Sequence, residues 1–418
     1  MNKIIVKGGK KLRGEIGIDG AKNSVLPILA ATILNGGENV IKNCPMFKDV
    51  EVILDILRSI GCKVKVEGNV AIIDSSTITS TFVPEDLATE MRSSIILMGP
   101  ILAREGKVTI SYPGGCEIGP RPIDLHLKAL RSLGAKINDT NGGYISCETD
   151  GLKGCEIYLD YPSVGATENV MIAAVYAEGE TVIRNAAKEP EIIDLQNFLK
   201  KIGAKVTGAG SSVIRIKGYE KKLTNVEHTI IPDRIIAGTY MVAAAMTGGN
   251  VVLKNIIPEH IISIASVLRD VGCQINFKQN DVQIIAGPRL NAVEVIRTLP
   301  YPGFPTDMQA QLMAILTLCK GTSIIIETIF ESRYKHVDDL LKMGANIRID
   351  GRMAVIKGVE QLYGAQVVSR DLRGGAALIL AGLAAKGETI ITGLEHVDRG
   401  YYKVEEKLSL LGADIIRI

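Results

Sequence analysis

Ile202-Gly203-Ala204-Lys205-Val206 decides how this chain is built, because the same phrase, apolar-Gly-(Ala or Cys)-polar-apolar, occurs five more times. The other copies are Ile60-Gly61-Cys62-Lys63-Val64, Leu133-Gly134-Ala135-Lys136-Ile137, Val271-Gly272-Cys273-Gln274-Ile275, Met343-Gly344-Ala345-Asn346-Ile347 and Leu411-Gly412-Ala413-Asp414-Ile415. Their glycines are 73, 69, 69, 72 and 68 residues apart, close to one sixth of the 418-residue chain. A fixed period of this size marks a structural repeat.

Ahead of each phrase, apolar residues recur at helical spacing, as in Leu195, Phe198, Leu199 and Ile202, with charges on the other face. That pattern predicts a surface helix which the glycine ends. A second helix in each unit reads apolar nearly all round, for example residues 94–103, 169–177, 239–246, 311–318 and 376–385, and is expected to be buried. Strand-like runs after glycine turns separate the two helices, as at 181–184, 250–253, 323–326 and 389–392. The unit therefore reads β-α-β-α-β-β, an α/β class. A further strand follows the phrase in most copies but not in the sixth. Lys3-Ile4-Ile5-Val6-Lys7-Gly8 resembles Ala354-Val355-Ile356-Lys357-Gly358 and is expected to supply it. Three units per domain then give one domain of residues 20–230 and another of 1–19 plus 231–418. Two chain crossings between them predict a hinge over a cleft that closes on its ligand.

Hydrophobic residues at 46% and charged residues at 22% fit a folded, well-packed chain. A net charge of +2 without basic runs argues against nucleic acid or a membrane surface as partner. The first nine residues hold only a short apolar run between lysines, so neither a signal peptide nor a membrane span is expected there, and a cytoplasmic location follows. Seven cysteines without C-x-x-C spacing are expected to be free thiols, and five scattered histidines predict no metal site. No G-x-x-x-x-G-K-[ST] loop and no G-x-G-x-x-G opening a helix appear, which argues against ATP hydrolysis and dinucleotide binding; no cofactor is expected.

Chemistry is expected where the repeats differ. Each buried helix is entered through polar or charged residues: Gly20-Ala21-Lys22-Asn23-Ser24, Glu90-Met91-Arg92-Ser93, Ser163-Val164-Gly165-Ala166-Thr167-Glu168-Asn169, Pro232-Asp233-Arg234, Pro305-Thr306-Asp307-Met308 and Asp371-Leu372-Arg373-Gly374. Helix N-termini offer free N–H groups and a positive dipole to anions; the bland reading is that these residues cap their helices. One loop leaves the repeat altogether, Tyr112-Pro113-Gly114-Gly115-Cys116-Glu117-Ile118-Gly119-Pro120-Arg121-Pro122. Its glycines and prolines predict a tight non-helical segment, and Arg121 would lower the Cys116 thiol below its free pKa of about 8.5. Cys62 and Cys273 occupy the small-residue slot of the repeat and read as packing. Cys319 closes a buried helix, and Cys44, Cys147 and Cys155 read as structural.

On these entrances and this loop, with Arg121-Pro122-Ile123-Asp124-Leu125-His126, Phe304-Pro305-Thr306-Asp307-Met308-Gln309, Glu327-Thr328-Ile329-Phe330-Glu331 and Asp398-Arg399-Gly400, the chain resembles the UDP-N-acetylglucosamine 1-carboxyvinyltransferase family over its full length. The resemblance implies two inside-out α/β barrels of three units each. It implies transfer of enolpyruvate from phosphoenolpyruvate to the 3′-hydroxyl of UDP-N-acetylglucosamine, the first committed step of peptidoglycan synthesis, and sensitivity to the epoxide fosfomycin. Phosphoenolpyruvate contacts are implied for Lys22, Asn23, Arg121, Arg333, Arg373 and Arg399. UDP-sugar contacts are implied for Asn23, Arg92, Arg121, Pro122, Ile123, Asp124, Leu125, Ser163, Val164, Gly165, Asp307 and Ile329. Cys116 is the implied general acid; Asp307 is assigned as the base, with Lys22 and Arg399 completing the catalytic set. Two small-molecule substrates and no required protein partner follow. Glu117 and Pro120 depart from the family's usual small residues. A shikimate 3-phosphate acceptor, or a paralogue that only binds the UDP-sugar, are the alternatives; the retained Cys116, Lys22, Asp307 and Arg399 argue against both.

Overall fold

The computed structural model describes residues 2–114, 123–139, 143–218 and 225–418. Cys116, Arg121 and Pro122 lie outside the described residues. In all six copies the repeat glycine has φ between 91° and 109°, the left-handed region that glycine adopts without a Cβ clash. Its N–H bonds to the carbonyl three residues back, and the next residue's N–H reaches five back. For the third copy these are Gly203 N to Lys200 O (3.0 Å) and Ala204 N to Leu199 O (2.9 Å). This is a Schellman cap, and it explains the phrase. The residue before each glycine is buried, and the carbonyl five back belongs in every copy to a buried leucine: Leu57, Leu130, Leu199, Leu268, Leu340 and Leu408. Cys62 and Cys273 fill the small slot, both 5% exposed.

The chain forms two compact units, the described residues from 20 to 231 and those up to 19 together with 232–418. In the first, the buried helices Lys22–Asn35, Met98–Glu105 and Val164–Ala173 pack on one another. Arg234–Met246, Gln309–Leu316 and Leu372–Ala384 do the same in the second. Only Asn23 of the Lys22–Asn35 helix escapes full burial. Sheets and amphipathic helices surround each trio, so helices lie inside and strands outside, as the repeat implied.

One sheet order recurs. Glu156–Tyr158 and Glu180–Arg184 pair in parallel across a buried helix, and the hairpin of Lys205–Thr207 and Val213–Lys217 adds its second strand beside Glu180–Arg184. In the unit of residues 20–231 one sheet is reduced to three strands, and its parallel strand survives as a bridge from Phe82 to Thr109. Ile4–Lys7 lies between Glu388–Thr392 and Asp414–Arg417, completing the sixth repeat's sheet. Arg13–Gly17 precedes the Lys22 helix in the chain, yet it pairs in parallel with Asn250–Lys254. Val226–Thr229 precedes the Arg234 helix, yet it pairs with Glu38–Lys42. Each unit is thus closed by pairing between strands far apart in the sequence. Among the described residues no helix is long and apolar enough to cross a membrane.

Candidate functional site

Within residues 20–231, Lys22 is the first residue of its helix and is 8% exposed. A lysine that deep needs a counter-charge. Its Nζ lies 2.7 Å from Asp49, which is 3% exposed and sits in the first turn of the Lys48–Ser59 helix. The same first turn is fixed by a second contact. Ser24 Oγ donates to Asp194 (2.5 Å), whose other oxygen lies 2.9 Å from His228 Nε2. Asn23 is thereby held between a buried ion pair and a buried polar triad.

Arg92 opens the turn Arg92–Leu97. It stands close enough to His126 to add to the effect of burial, and together they lower that imidazole from 6.5 to about 4. The Asn169 amide fixes the neutral ring: its Oδ1 accepts from Gly99 N (2.8 Å), and its Nδ2 donates to Ile95 O and lies 3.1 Å from His126 Nδ1. Gly165 packs against the same ring, where a Cβ would stand 3.1 Å from Cε1. The structure therefore brings the Asp124–Ser132 helix, with Ile123 ahead of it and Leu125 within it, to the Ser163-Val164-Gly165 entrance. Ser163 also caps its own helix, accepting from Ala166 N at 3.3 Å.

The Cys116 loop is described only up to Gly114, where a Cβ would overlap the Thr89 carbonyl, so glycine is required at its entry. Burial pushes the thiols of Cys44, Cys62, Cys147 and Cys319 up to about 12 and that of Cys273 to about 11. Such thiols stay protonated and inert at neutral pH. Cys155 is half-buried, and burial raises it too.

In the other unit, Asp307 Oδ1 accepts from Arg333 Nη2 at 2.7 Å and Oδ2 from Arg373 Nη2 at 3.0 Å. The carboxylate side chain is 25% exposed, whereas the arginines are 3% and 4% exposed. Phe330 lies under Arg333 (5.2 Å) and Tyr401 under Arg373 (5.5 Å). Burial works against the Arg373 charge, but Asp307, Tyr401 and Asp233 outweigh it and hold its pKa above the ordinary arginine value. Arg333 Nε and Nη1 and Arg373 Nη1 are buried and meet no acceptor among the described residues. Buried guanidinium N–H groups without acceptors suit a carboxylate or phosphate.

Glu327, fully buried, organises this end of the unit. Its carboxylate accepts from Thr298 Oγ1 (3.0 Å), Thr306 Oγ1 (2.9 Å), Ile329 N (2.8 Å) and Phe330 N (3.1 Å). It thus holds the residue before Asp307, the backbone of Ile329 and the ring beneath Arg333. Arg399 follows Asp398, which ends the short helix Leu394–Val397. Asp233 and Asp371 cap their helices, each Oδ1 accepting two backbone N–H groups.

Asp49, Asp194, His228, Asn169 and Glu327 were not singled out as site residues from the sequence. Asp49 left a signal as a carboxylate in the first turn of an amphipathic helix, Asn169 as the last residue of a polar helix entrance, and Glu327 as the first residue of a stretch that carries the family resemblance. Asp194 and His228 act through contacts between residues far apart in the chain.

A sequence model of the family described as EPSP synthase (3-phosphoshikimate 1-carboxyvinyltransferase) matches residues 6–408. The chain is 53% identical over 418 residues to UDP-N-acetylglucosamine 1-carboxyvinyltransferase 2 of Caldanaerobacter subterraneus subsp. tengcongensis, covering all of both chains. It is 54% identical over 421 residues to UDP-N-acetylglucosamine 1-carboxyvinyltransferase 1 of Symbiobacterium thermophilum, covering all of this chain and 95% of that one. The chain belongs to the UDP-N-acetylglucosamine 1-carboxyvinyltransferase family. Among solved structures, the enolpyruvyl transferase NikO from Streptomyces tendae superposes with a TM-score of 0.90 at 24% identity, covering all of this chain and 98% of that one. EPSP synthase from Acinetobacter baumannii gives 0.77 at 20% identity, covering all of both chains. These two share the fold of the enolpyruvyl transferases with this chain; the full-length identity above 50% separates the UDP-sugar branch from the shikimate branch.

Proposed function

We propose that this chain transfers the enolpyruvyl group of phosphoenolpyruvate to the 3′-hydroxyl of UDP-N-acetylglucosamine and releases phosphate. The observation that carries this reading is the identity of 53–54% over the whole chain to relatives bearing that name. The site chemistry supports it. Enolpyruvyl transfer is an addition followed by an elimination. Cys116 delivers a proton to C3 of phosphoenolpyruvate, while Asp307 takes the proton of the sugar hydroxyl as that oxygen bonds to C2. Loss of a C3 proton and of the phosphate group then restores the double bond, now on the sugar ether. Asn23 orients the hydroxyl, and Lys22, Arg121, Arg333, Arg373 and Arg399 neutralise the substrate carboxylate and the departing phosphate. The unspent N–H groups of Arg333 and Arg373 fit this role. Arg92, Pro122 to Leu125, Ser163 to Gly165 and Ile329 hold the UDP-sugar; neutral His126 lets Arg92 keep its charge for a diphosphate.

The product feeds peptidoglycan assembly, and the reaction runs in the cytoplasm on two diffusible substrates. Phosphate release measured with phosphoenolpyruvate and either UDP-N-acetylglucosamine or shikimate 3-phosphate tests the reading. Release with the UDP-sugar alone is expected, and Cys116→Ala abolishes it. Release with shikimate 3-phosphate, or with neither acceptor, would overturn it.

A further inference from the structure

We infer that Arg417 is a positioning residue for phosphoenolpyruvate, acting through the segment that carries Arg399. The inference rests on the proposed function and deepens it. Arg417 lies on the Asp414–Arg417 strand, where its backbone is fixed opposite Ile4. Its guanidinium grips Asp398 with both forks, Nη1 to Oδ2 at 2.9 Å and Nη2 to Oδ1 at 2.7 Å. Nη2 also donates to Glu405 Oε2 at 3.2 Å; Nε lies 2.9 Å from Oε1 but outside hydrogen-bonding angles. Asp398 and Glu405 bracket Arg399-Gly400-Tyr401-Tyr402-Lys403-Val404, so one side chain ties both ends of the segment together.

The segment needs such a tie. Lys403 sits at φ 48°, ψ 49°, a left-handed conformation that non-glycine residues hold only where their surroundings enforce it. In the middle, the Tyr401 hydroxyl lies 3.0 Å from Thr239 Oγ1 and accepts from Gln311 Nε2 at 3.2 Å. Arg399 stands between the Asp398 tie and the Tyr401 anchor. Arg417 has an electrostatic task as well. With Arg417 removed, the Asp398 carboxylate loses its bidentate partner and becomes a competitor for the neighbouring Arg399 guanidinium, which it would draw away from an incoming anion. Lysine carries the charge but lacks the planar fork that spans two carboxylates.

Steady-state kinetics of Arg417→Met, Arg417→Lys and Arg417→Met/Asp398→Asn test this, with amide hydrogen exchange at residues 399–403. Arg417→Met should raise the KM for phosphoenolpyruvate about tenfold and leave that for UDP-N-acetylglucosamine within about twofold. Arg417→Lys should fall between, and adding Asp398→Asn should recover much of the loss by removing the competing carboxylate. Exchange at 399–403 should quicken in Arg417→Met without ligands. A general structural role would move both KM values together and gain nothing from Asp398→Asn; that outcome, or unchanged exchange, overturns the inference. If Arg417→Met fails to fold, Arg417→Lys carries the same comparison. A wild-type chain that releases no phosphate instead defeats the proposed function, and the exchange measurement then decides the tie alone.

Discussion

Asp307→Ala removes the carboxylate that both Arg333 and Arg373 grip while leaving those guanidinium groups 3% and 4% exposed. Removing one partner of a buried ion pair costs about 3–5 kcal/mol, because the charge left behind has neither water nor a counter-ion. Asp307 is itself 25% exposed, which lets some water reach the gap and places the expected loss at the lower end, about 3 kcal/mol. Asp307→Asn keeps one carbonyl acceptor and should lose about 2 kcal/mol, roughly one charge-assisted hydrogen bond. Hydrogen exchange of the Leu372–Ala384 helix under increasing urea reports the unit that contains Asp307 and avoids averaging over the whole chain. Added inorganic phosphate should restore part of the Asp307→Ala stability, since it can take the unspent N–H groups; wild type should gain less. A loss below about 0.5 kcal/mol in Asp307→Ala, the range of ordinary surface changes, would refute the bridge. The measurement also bears on catalysis. A general base lost in Asp307→Asn lowers kcat with UDP-sugar affinity changed by under about tenfold. A collapse of UDP-sugar binding together with kcat would assign Asp307 to architecture instead.

Three further outcomes follow from burial and charge. A fosfomycin-like epoxide should alkylate Cys116 first and half-buried Cys155 next, with the five buried thiols reacting only on unfolding; peptide mapping that finds Cys62 or Cys319 first contradicts this. His126 is neutral in the fold, with a pKa near 4 against 6.5, so the stability it confers is complete above pH 6.5 and is lost as pH falls toward 4. At pH 5 that loss is about 2 kcal/mol, and His126→Gln should lack it in urea midpoints compared at pH 7 and pH 5. Glu168 is buried, and burial followed by the Glu191 and Glu189 charges raises its pKa well above the carboxylate range. A raised carboxyl stabilises the fold at low pH and ceases to as pH rises through its folded pKa. Glu168→Gln should therefore gain more stability over wild type at pH 8 than at pH 4, and an equal gain at both pH values would contradict the assignment.

The sixfold repeat was legible because a Schellman cap is written in five adjacent residues. Ile60-Gly61-Cys62 and Leu411-Gly412-Ala413 carry it as plainly as Ile202-Gly203-Ala204, and no distant contact is needed to read it. The strand completing the last sheet was legible from its likeness to Ala354-Val355-Ile356-Lys357-Gly358. The parallel pairing of Val226–Thr229 with Glu38–Lys42 was not. Both strands alternate in the ordinary way, and nothing local distinguishes a partner nearly two hundred residues away from a neighbour. The Asp194 network and the Thr298 and Thr306 bonds to Glu327 were hidden for the same reason, since their donors come from separate elements of the chain. Composition marks such carboxylates only as charged residues in helices or at strand ends.

The helix entrances show where a local reading can be sharpened. All six looked alike as polar residues ahead of an apolar helix, yet they divide into two kinds. Ser163, Asp233 and Asp371 sit at the capping position and spend a side-chain oxygen on their own helix. Ala21, Met91 and Pro305 hold that position in the other three and give no side-chain cap. The difference is one of register. In Pro232-Asp233-Arg234 the aspartate precedes the first helical residue, whereas in Pro305-Thr306-Asp307 the turn already begins at Thr306. Moving the carboxylate two places inward takes it past its own backbone N–H groups and turns it toward Arg333 and Arg373. Lys22 and Arg92 stand first in their turns, one place before the position Asp307 holds in its own, and likewise have no side-chain capping oxygen ahead of them. An uncapped entrance leaves its carboxylate for partners beyond its own helix, as Asp307 has in Arg333 and Arg373, whereas the capping aspartates are spent on their own backbone N–H groups. On that ground Asp371, already bonded to Arg373 N and Gly374 N, is a poor substitute for Asp307 as base, although the two are equally acidic in sequence.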